Sequence, residues 1–593
     1  MAAGQQNSVR QSTCSGRSTK GLYRSRYEEN GETKYLAVTM MEPADARRFL
    51  PAFDEPAMKA DDKWLKSTFK RTPKMSTYLL AICVGQLQYR ESTTSSGIRF
   101  RIWARPEALD QTAYASEIGP TVLEFLERFF DIPFPLKKQD MVALPDFAFG
   151  AMENWGMITY REKNLLYDPS KYSLEEKQTV AVVVAHELSH MWFGNLVTMQ
   201  WWDDLWLNEG FASLMEQIGA DAASDGRFDM MSQMVNRLQE AMSLDQLNKS
   251  HALSTPVPTA DDAWDNFDQI SYEKGSAVVQ MTKAVIGDDA FKTRMTTYLN
   301  KHRYGNAESR DLYNALADED EGKEGDVKRM LLTYTLQKHY PVLSVTRQRH
   351  STLANYSTLL IEQQPFTLDG APTEGDSPFG YKWHIPVWNA RQDDSRGRQQ
   401  LLWMAEEGNV TVETPNARWL VLNPEVDGYY RVNYDVSSWR LIADQLEEDH
   451  DAFSVKLRSQ LLDDAFTLAR AGQLGYETAL KLLGSFVKSG DDNFVSWKAA
   501  LTNLNYIWQM FAGTTGEEAA KTYLLENVLT AAYERVGWSE LSVETVLTQE
   551  FQGEMVSWAC RLGHSNCTSV GQRSFEETIT SCRGRQLSDA ECN

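Results

Sequence analysis

A chain of 593 residues is long enough for several domains, and 42% hydrophobic with 11% aromatic residues is the make-up of a globular protein rather than a disordered one. The formal net charge of −22 excludes the basic face that nucleic acid needs and disfavours adsorption on an anionic membrane; it reads as solubility. No run of about eighteen apolar residues is present to span a bilayer, and six unevenly placed cysteines do not make a disulfide scaffold.

Residues 1–20 are polar, lack an apolar signal core, and predict a disordered lead. Strands are expected over 21–88. YLAVTM and TYLLAICVGQLQ alternate, and Ser76–Gly85 (STYLLAICVG) reads as a buried strand, too short to cross a membrane. Arg47, Arg48, Asp54 and Glu55 read as a structural ion-pair cluster. A second unit covers 89–340. RFRIWAR (Arg99–Arg105) alternates as a strand, YASEIGPTVLEFLERFFD has helical spacing, and a strand–loop–strand passage follows from PLKK to TYRE. DEDEGKEGDVK (Asp318–Lys328) is a charged connector, after which MLLTYTLQKHYP closes the unit. Short alternating segments over 341–432 predict a small β-sandwich, and the spacing over 433–593 is that of a helical array. The fold class expected is multidomain α+β.

The chemistry concentrates in Val182–Asn195, VVVAHELSHMWFGN, which is His-Glu-x-x-His on an apolar run of helical spacing. His186 and His190 lie one turn apart on one face. Two neutral imidazoles so placed can hold zinc, and Glu187 can reach a metal-bound water. A capping box of Ser173 and Glu176 should open the helix, and Gly194 should cap its end. Catalytic zinc takes three protein ligands and keeps one position open. Trp201–Gln217 (WWDDLWLNEGFASLMEQ) has apolar residues at helical spacing and supplies Glu209 as the third ligand. A solvated acidic face is the weaker account of Glu209, because Leu207, Phe211 and Leu214 flank it. The cofactor expected is one zinc ion per chain.

These residues carry a resemblance. H-E-x-x-H, eighteen intervening residues and then Glu in N-E-G resembles the gluzincin metallopeptidases. Gly150–Gly156 (GAMENWG) resembles the exopeptidase motif of their aminopeptidase N family, and Ile270–Gly275 (ISYEKG) its catalytic tyrosine segment. Ala46–Pro56 (ARRFLPAFDEP) and Gly428–Asp435 (GYYRVNYD) are similar to two further landmarks. The likeness runs from about Gly21 to about Thr568; Gly571–Asn593 is expected to fall outside it. It implies a partial N-terminal β domain, a thermolysin-like catalytic domain, a β-sandwich and a partial C-terminal helical array, a chain truncated at both ends relative to the family.

The resemblance also implies roles. Zinc on His186, His190 and Glu209 would lower the pKa of a bound water towards ~7. Glu187 would take that water's proton and return it to the leaving amine, and Tyr272 would help hold the oxyanion. Glu153 would anchor the free α-amine of a peptide, while Gly150 and Ala151, with Met152 and Asn154 of the same motif, would receive its backbone. Met40 stands where the family often has an amine-binding Gln and is expected to weaken that grip; Ala52 in place of a frequent Cys should matter little. Cys560 and Cys567 resemble a small disulfide loop of extracellular members. Extracellular or plasma-membrane placement is implied on the same basis, which four N-x-S/T sequons support mildly; a cytoplasmic location is the alternative. Peptides with a free N-terminus are the expected partners, and a homodimer is compatible with the family. The function expected is zinc-dependent aminopeptidase. The alternatives are a catalytically impaired form acting as a binding or receptor-like protein, and an endopeptidase or epoxide hydrolase on the same site.

Overall fold

This computed structural model describes residues 19–29, 31–48, 71–317, 324–349, 356–372, 375–392, 400–415, 419–539, 541 and 545–582. The lead up to residue 18, and Asp54 and Glu55 of the expected ion-pair cluster, lie outside them. β1 (Gly21–Glu29) and β2 (Glu32–Met40) pair antiparallel with Gly21 opposite Met40, and β3 (Cys83–Val84) adds to β2. Alternate residues of β1 are buried, as a one-faced sheet requires. Of the segment Ser76–Gly85 only β3 is strand, not the whole buried strand its apolar content predicts. Thr77–Leu79 form a 3₁₀ turn that buries Tyr78 and Leu79, and Val84 is largely exposed. A short apolar run satisfies a buried turn as well as a strand.

A five-stranded sheet follows, built from β4 (Gln88–Thr93), β5 (Arg99–Ala104), β6 (Lys138–Leu144), β7 (Ala151–Met152) and β8 (Met157–Arg161). Its order is β4-β5-β6-β8-β7, which leaves β7 at an edge. α1 (Ala113–Phe130) packs on the first two of these strands and on α2 (Leu174–Ser189), which in turn lies along α3 (Trp206–Ala223). The capping box at α2 is present: Ser173 Oγ accepts from the Glu176 N–H, and Glu176 Oε2 accepts from the Ser173 N–H at 2.7 Å. The helix ends at Ser189 with His190 as its cap, so Gly194 is not the cap expected. A parallel pair, β9 (Val197–Met199) and β10 (Gly305–Ala307), and the helices α4 (Met230–Asp245), α5 (Gly275–Ile286), α6 (Asp288–His302) and α7 (Ser309–Leu316) complete this region. α8 spans Glu324–Thr335, so the second half of the expected connector is helical. The charged residues over 324–328 thus belong to the opening of a helix, not to a linker.

Over the expected sandwich two sheets form. β11 (Tyr340–Arg349), β12 (Tyr356–Phe366), β15 (Val410–Pro415) and β17 (Arg431–Tyr434) order as β15-β12-β11-β17; β13 (Ile385–Arg391), β14 (Gln400–Met404) and β16 (Leu420–Leu422) order as β14-β13-β16. The helical array begins after β17 with α9 (Val436–Glu448), α10 (Val455–Arg470), α11 (Tyr476–Lys488), α12 (Phe494–Phe511) and α13 (Glu517–Leu524). It continues through α14 (Thr530–Val536) and α15 (Val546–Arg561) to α16 (Ser565–Cys582). A disulfide joins Cys560 to Cys567 at the turn between α15 and α16. Among the described residues no helix is long and apolar enough to cross a membrane.

Candidate active site

The apolar faces of α2 and α3 pack together, and this packing brings His186, His190 and Glu209 within 4.8 Å of one another. The two imidazole Nε2 atoms are 3.1 Å apart, and each is 3.3 Å from Glu209 Oε2. Their Nδ1 atoms face away. That of His186 lies 2.6 Å from Glu216 Oε2 and that of His190 2.9 Å from the Phe193 carbonyl. Both partners are acceptors, so Nδ1 carries the proton in each ring and Nε2 keeps a lone pair for a metal. Gly194 explains itself here. Its φ is +132°, and a Cβ would sit 3.2 Å from His190 Nδ1, so the glycine clears the ring rather than capping a helix.

Glu209 and the segment ISYEKG are held in register by a second glycine contact. A Cβ on Gly210 would lie 2.9 Å from the Gly275 backbone, so α3 and the start of α5 touch chain to chain. Ile270–Lys274 form a π-helical turn there. From it Tyr272 lays its ring parallel to the His186 imidazole, at 6° and with 6.0 Å between centroids. Burial and the carboxylates of Glu209, Glu42, Glu153 and Glu187 raise its hydroxyl well above the usual tyrosine range, so it is a proton donor at neutral pH.

The electrostatics of the site follow from buried carboxylates. Glu187 has an Oε2 with no hydrogen-bond partner among the described residues, and burial pushes its carboxyl up to about 8 against the pull of His186 and His190. For Glu209 burial also raises the carboxyl, but the two imidazoles win and hold it at about 2. Glu153 is buried with Oε1 unpartnered, and burial raises it too. Buried carboxylate oxygens without donors are costly unless positive charge meets them. With two open Nε2 lone pairs beside them, the donor set fits a zinc site of the two-His, one-Glu kind.

The GAMEN residues do different things. Ala151 and Met152 are the edge strand β7, paired to Tyr160 and Thr159, with no sheet partner on its other side among the described residues. The Gly150 carbonyl accepts from the Arg161 N–H and from Asn164 Nδ2, both at 3.0 Å, and a Cβ would meet that amide at 2.9 Å. The Asn195 amide donates to the Glu153 carbonyl at 2.9 Å, tying this loop to the end of α2. Asn154 turns its Oδ1 to the Thr159 hydroxyl and its amide to the Leu79 carbonyl, which shapes the loop. Met40 is fully buried at the end of β2.

Two residues were not singled out from sequence. Glu42, two places after Met40, is buried with Oε1 unpartnered; burial raises its carboxyl well above the usual range, and so do the charges of Glu153, Glu209 and Glu187. No local pattern marks a lone Glu that precedes Gly150 of GAMENWG by 108 residues. Glu216 is different: it follows Glu209 by seven residues, two helical turns, so the spacing did place both on one face.

Comparison with known proteins decides the family. The profile of the Peptidase family M1 domain matches residues 114–334, that of the Peptidase M1 N-terminal domain residues 12–62, and that of the ERAP1-like C-terminal domain residues 419–588. The chain belongs to peptidase family M1. The likeness starts before Gly21 and reaches past Gly571, further at both ends than the motifs by themselves indicate. Among M1 relatives, an aminopeptidase N of Haemonchus contortus is 35% identical over 96% of this chain and 62% of its own length. A glutamyl aminopeptidase of Bos taurus is 37% identical over 94% and 60%, and human aminopeptidase N 36% identical over 94% and 61%. The chain thus spans about 60% of the length of these relatives.

Proposed function

We propose that this M1 chain is a zinc aminopeptidase, which removes the N-terminal residue of peptides with a free α-amine. The observation that carries the reading is the juxtaposition of a His186–His190–Glu209 donor set with the buried carboxyls of Glu153, next to the edge strand β7, and Glu42, each with an Oε1 that has no hydrogen-bond partner among the described residues. A metal site alone suits any peptidase of this chemistry. A second, separate demand for positive charge suits a substrate that brings an ammonium.

Bound zinc would supply Lewis acidity, polarising a peptide carbonyl and acidifying a water. The chain's own residues do the rest. Glu153 and Glu42 receive the ammonium through charge-assisted hydrogen bonds, which fixes the first peptide bond at the site. β7 accepts the substrate backbone as an added strand. Glu187 takes a proton from the attacking water and delivers it to the leaving amine. The Tyr272 hydroxyl donates to the carbonyl oxygen as negative charge develops on it. The Cys560–Cys567 disulfide supports an oxidising compartment.

The test is release of free amino acid from a short peptide, with and without a chelator and with zinc restored. Glu187→Gln should reduce kcat by at least about 10²-fold; a rate equal to wild type removes the enzyme reading. An N-acetylated peptide should not be cut. Glu153→Gln and Glu42→Gln should each raise KM for the free peptide by about tenfold or more, the worth of one hydrogen bond to a charged group; equal cutting of free and blocked peptides would end the amine-anchor role.

A further inference from the structure

The π-helical turn that presents Tyr272 is gripped from behind by an ion pair outside the metal cluster. Lys274 and Asp245 are both without any exposed side-chain surface, and Lys274 Nζ lies 2.8 Å from Asp245 Oδ2. Lys274 also donates to the His339 carbonyl at 3.1 Å. Asp245, the last residue of α4, is saturated: Oδ1 accepts from Ser250 Oγ at 2.6 Å and from the His339 N–H at 2.8 Å, and Oδ2 also accepts from the Tyr429 hydroxyl at 3.3 Å. The grip extends into the following domain. Tyr429 packs edge-on against Tyr340, whose hydroxyl accepts from Arg431 Nε at 3.0 Å, and Arg431 pairs with Asp463 and Asp464 of α10.

Residues two apart in a helical turn point to opposite sides, about 200° apart at α-helical pitch. With Lys274 held at the back, Tyr272 is turned to the front, towards His186. The Gly210–Gly275 contact sets how close the turn approaches α3, Asp268 Oδ1 accepts from the Ile270 and Ser271 N–H groups at 2.8 and 3.3 Å, and Lys274 adds a restraint from behind the turn. A buried ion pair is weak evidence of stabilisation, since apolar residues of equal volume commonly do as well. One that is fully bonded, and that orients a turn bearing a hydroxyl at the site, has a use stability does not explain.

We propose that Lys274 and Asp245 are positioning residues for Tyr272, and that Tyr429 couples this presentation to the β-sheet region over 340–434. The inference rests on the aminopeptidase reading for its kinetic consequence, not for its structural one. The full chain is used, with the pair replaced as Lys274→Met with Asp245→Leu. The pair Lys283–Asp288, whose aspartate is exposed, replaced by Lys283→Met, serves as control. The expected result is a fall in kcat of about 10²-fold with KM little changed, the loss typical of one oxyanion donor. In a Tyr272→Phe background the same replacement should cost less than a further twofold. Full additivity, or unchanged kcat in a folded pair variant, would overturn the proposal. A fluorotyrosine placed at residue 272 gives a readout independent of activity: its ¹⁹F line should shift or broaden in the pair variant and not in the control. A line that stays put overturns the positioning role even if the wild type cuts no peptide, whereas a displaced line with an inactive wild type overturns only the aminopeptidase reading. Should the pair variant not fold, Tyr429→Phe takes its place, removing one bond to Asp245 while leaving the ion pair. A displaced ¹⁹F line then supports the proposal, and an unmoved one overturns it.

Discussion

At the scale of single residues, the behaviour of His186 depends on Glu216. A carboxylate 2.6 Å from Nδ1 holds the ring in the tautomer that leaves Nε2 free, and makes the ring a stronger donor. Glu216→Gln should therefore weaken zinc binding by about 10–100-fold, read by competition against a chelator of known affinity, while the fold stays intact. Retention equal to wild type would show that His186 needs no such partner. The pair His186 and His190 was legible in sequence because four residues make one helical turn. Glu42 was not, because what makes it a site residue is the buried company of Glu153, Glu187 and Glu209, which no local pattern records.

At the scale of elements, the site depends on where α3, α5 and the five-stranded sheet lie. Alanine at Gly210 would put a methyl group 2.9 Å from the Gly275 backbone, where nothing flexible can yield. Gly210→Ala should cost ~1–3 kcal/mol in stability, the range for overpacking, and should lower kcat as well, since Glu209 and Tyr272 flank that contact. A lowered Tm with unchanged kcat would separate the packing from the site. The sheet carries its own pH sensitivity. Asp140 of β6 is pushed up by burial but held below the ordinary carboxylate range by Arg101 at 2.5 Å, Lys138 at 2.6 Å and Trp103 at 3.1 Å. A carboxyl depressed in the folded state contributes stability above its unfolded value, near 4, and that contribution is lost as pH falls through the folded value. Asp140→Asn should thus lower stability at pH 7 and flatten the loss as pH falls below about 4, seen in denaturant titrations at successively lower pH. Element types were readable where periodicity was long, as in α1 and α2. They were misread where it was short: Ser76–Gly85 buries apolar residues in a turn, and the charged run before Lys328 opens α8.

At the scale of the whole molecule, the helical array meets the start of α2, where the Leu174 N–H donates to Gln549 Oε1 at 3.4 Å, and meets α4, where Asn236 Nδ2 donates to the Val495 carbonyl and Gln239 Nε2 to Ser459 Oγ. The disulfide lies beyond those contacts and closes only a short loop, seven residues in separation. Loop entropy gives such a closure about 2–3 kcal/mol. Replacing Cys560 and Cys567 by serine should lower the stability of the last helices by that amount, measured by hydrogen exchange over α15 and α16, without changing kcat; a fall in kcat would place the array inside the catalytic unit. The order of regions was readable from composition, a β-rich start, a mixed centre, short strands and then helices, because periods of 2 and 3.6 need no partner to be seen.

What the sequence determined by itself is local: His186 and His190 stand one helical turn apart with Glu187 between them, and Glu209, nineteen residues beyond His190, stands out by its apolar neighbours. What only the tertiary structure decided is the rest of the charge around them. The company of Glu42 and Glu153, the His186 tautomer set by Glu216 and the grip of Asp245 on Lys274 all join residues far apart in the chain. Burial raises the cost of an unmet charge, and burial is a property of the packed molecule, not of any segment of it.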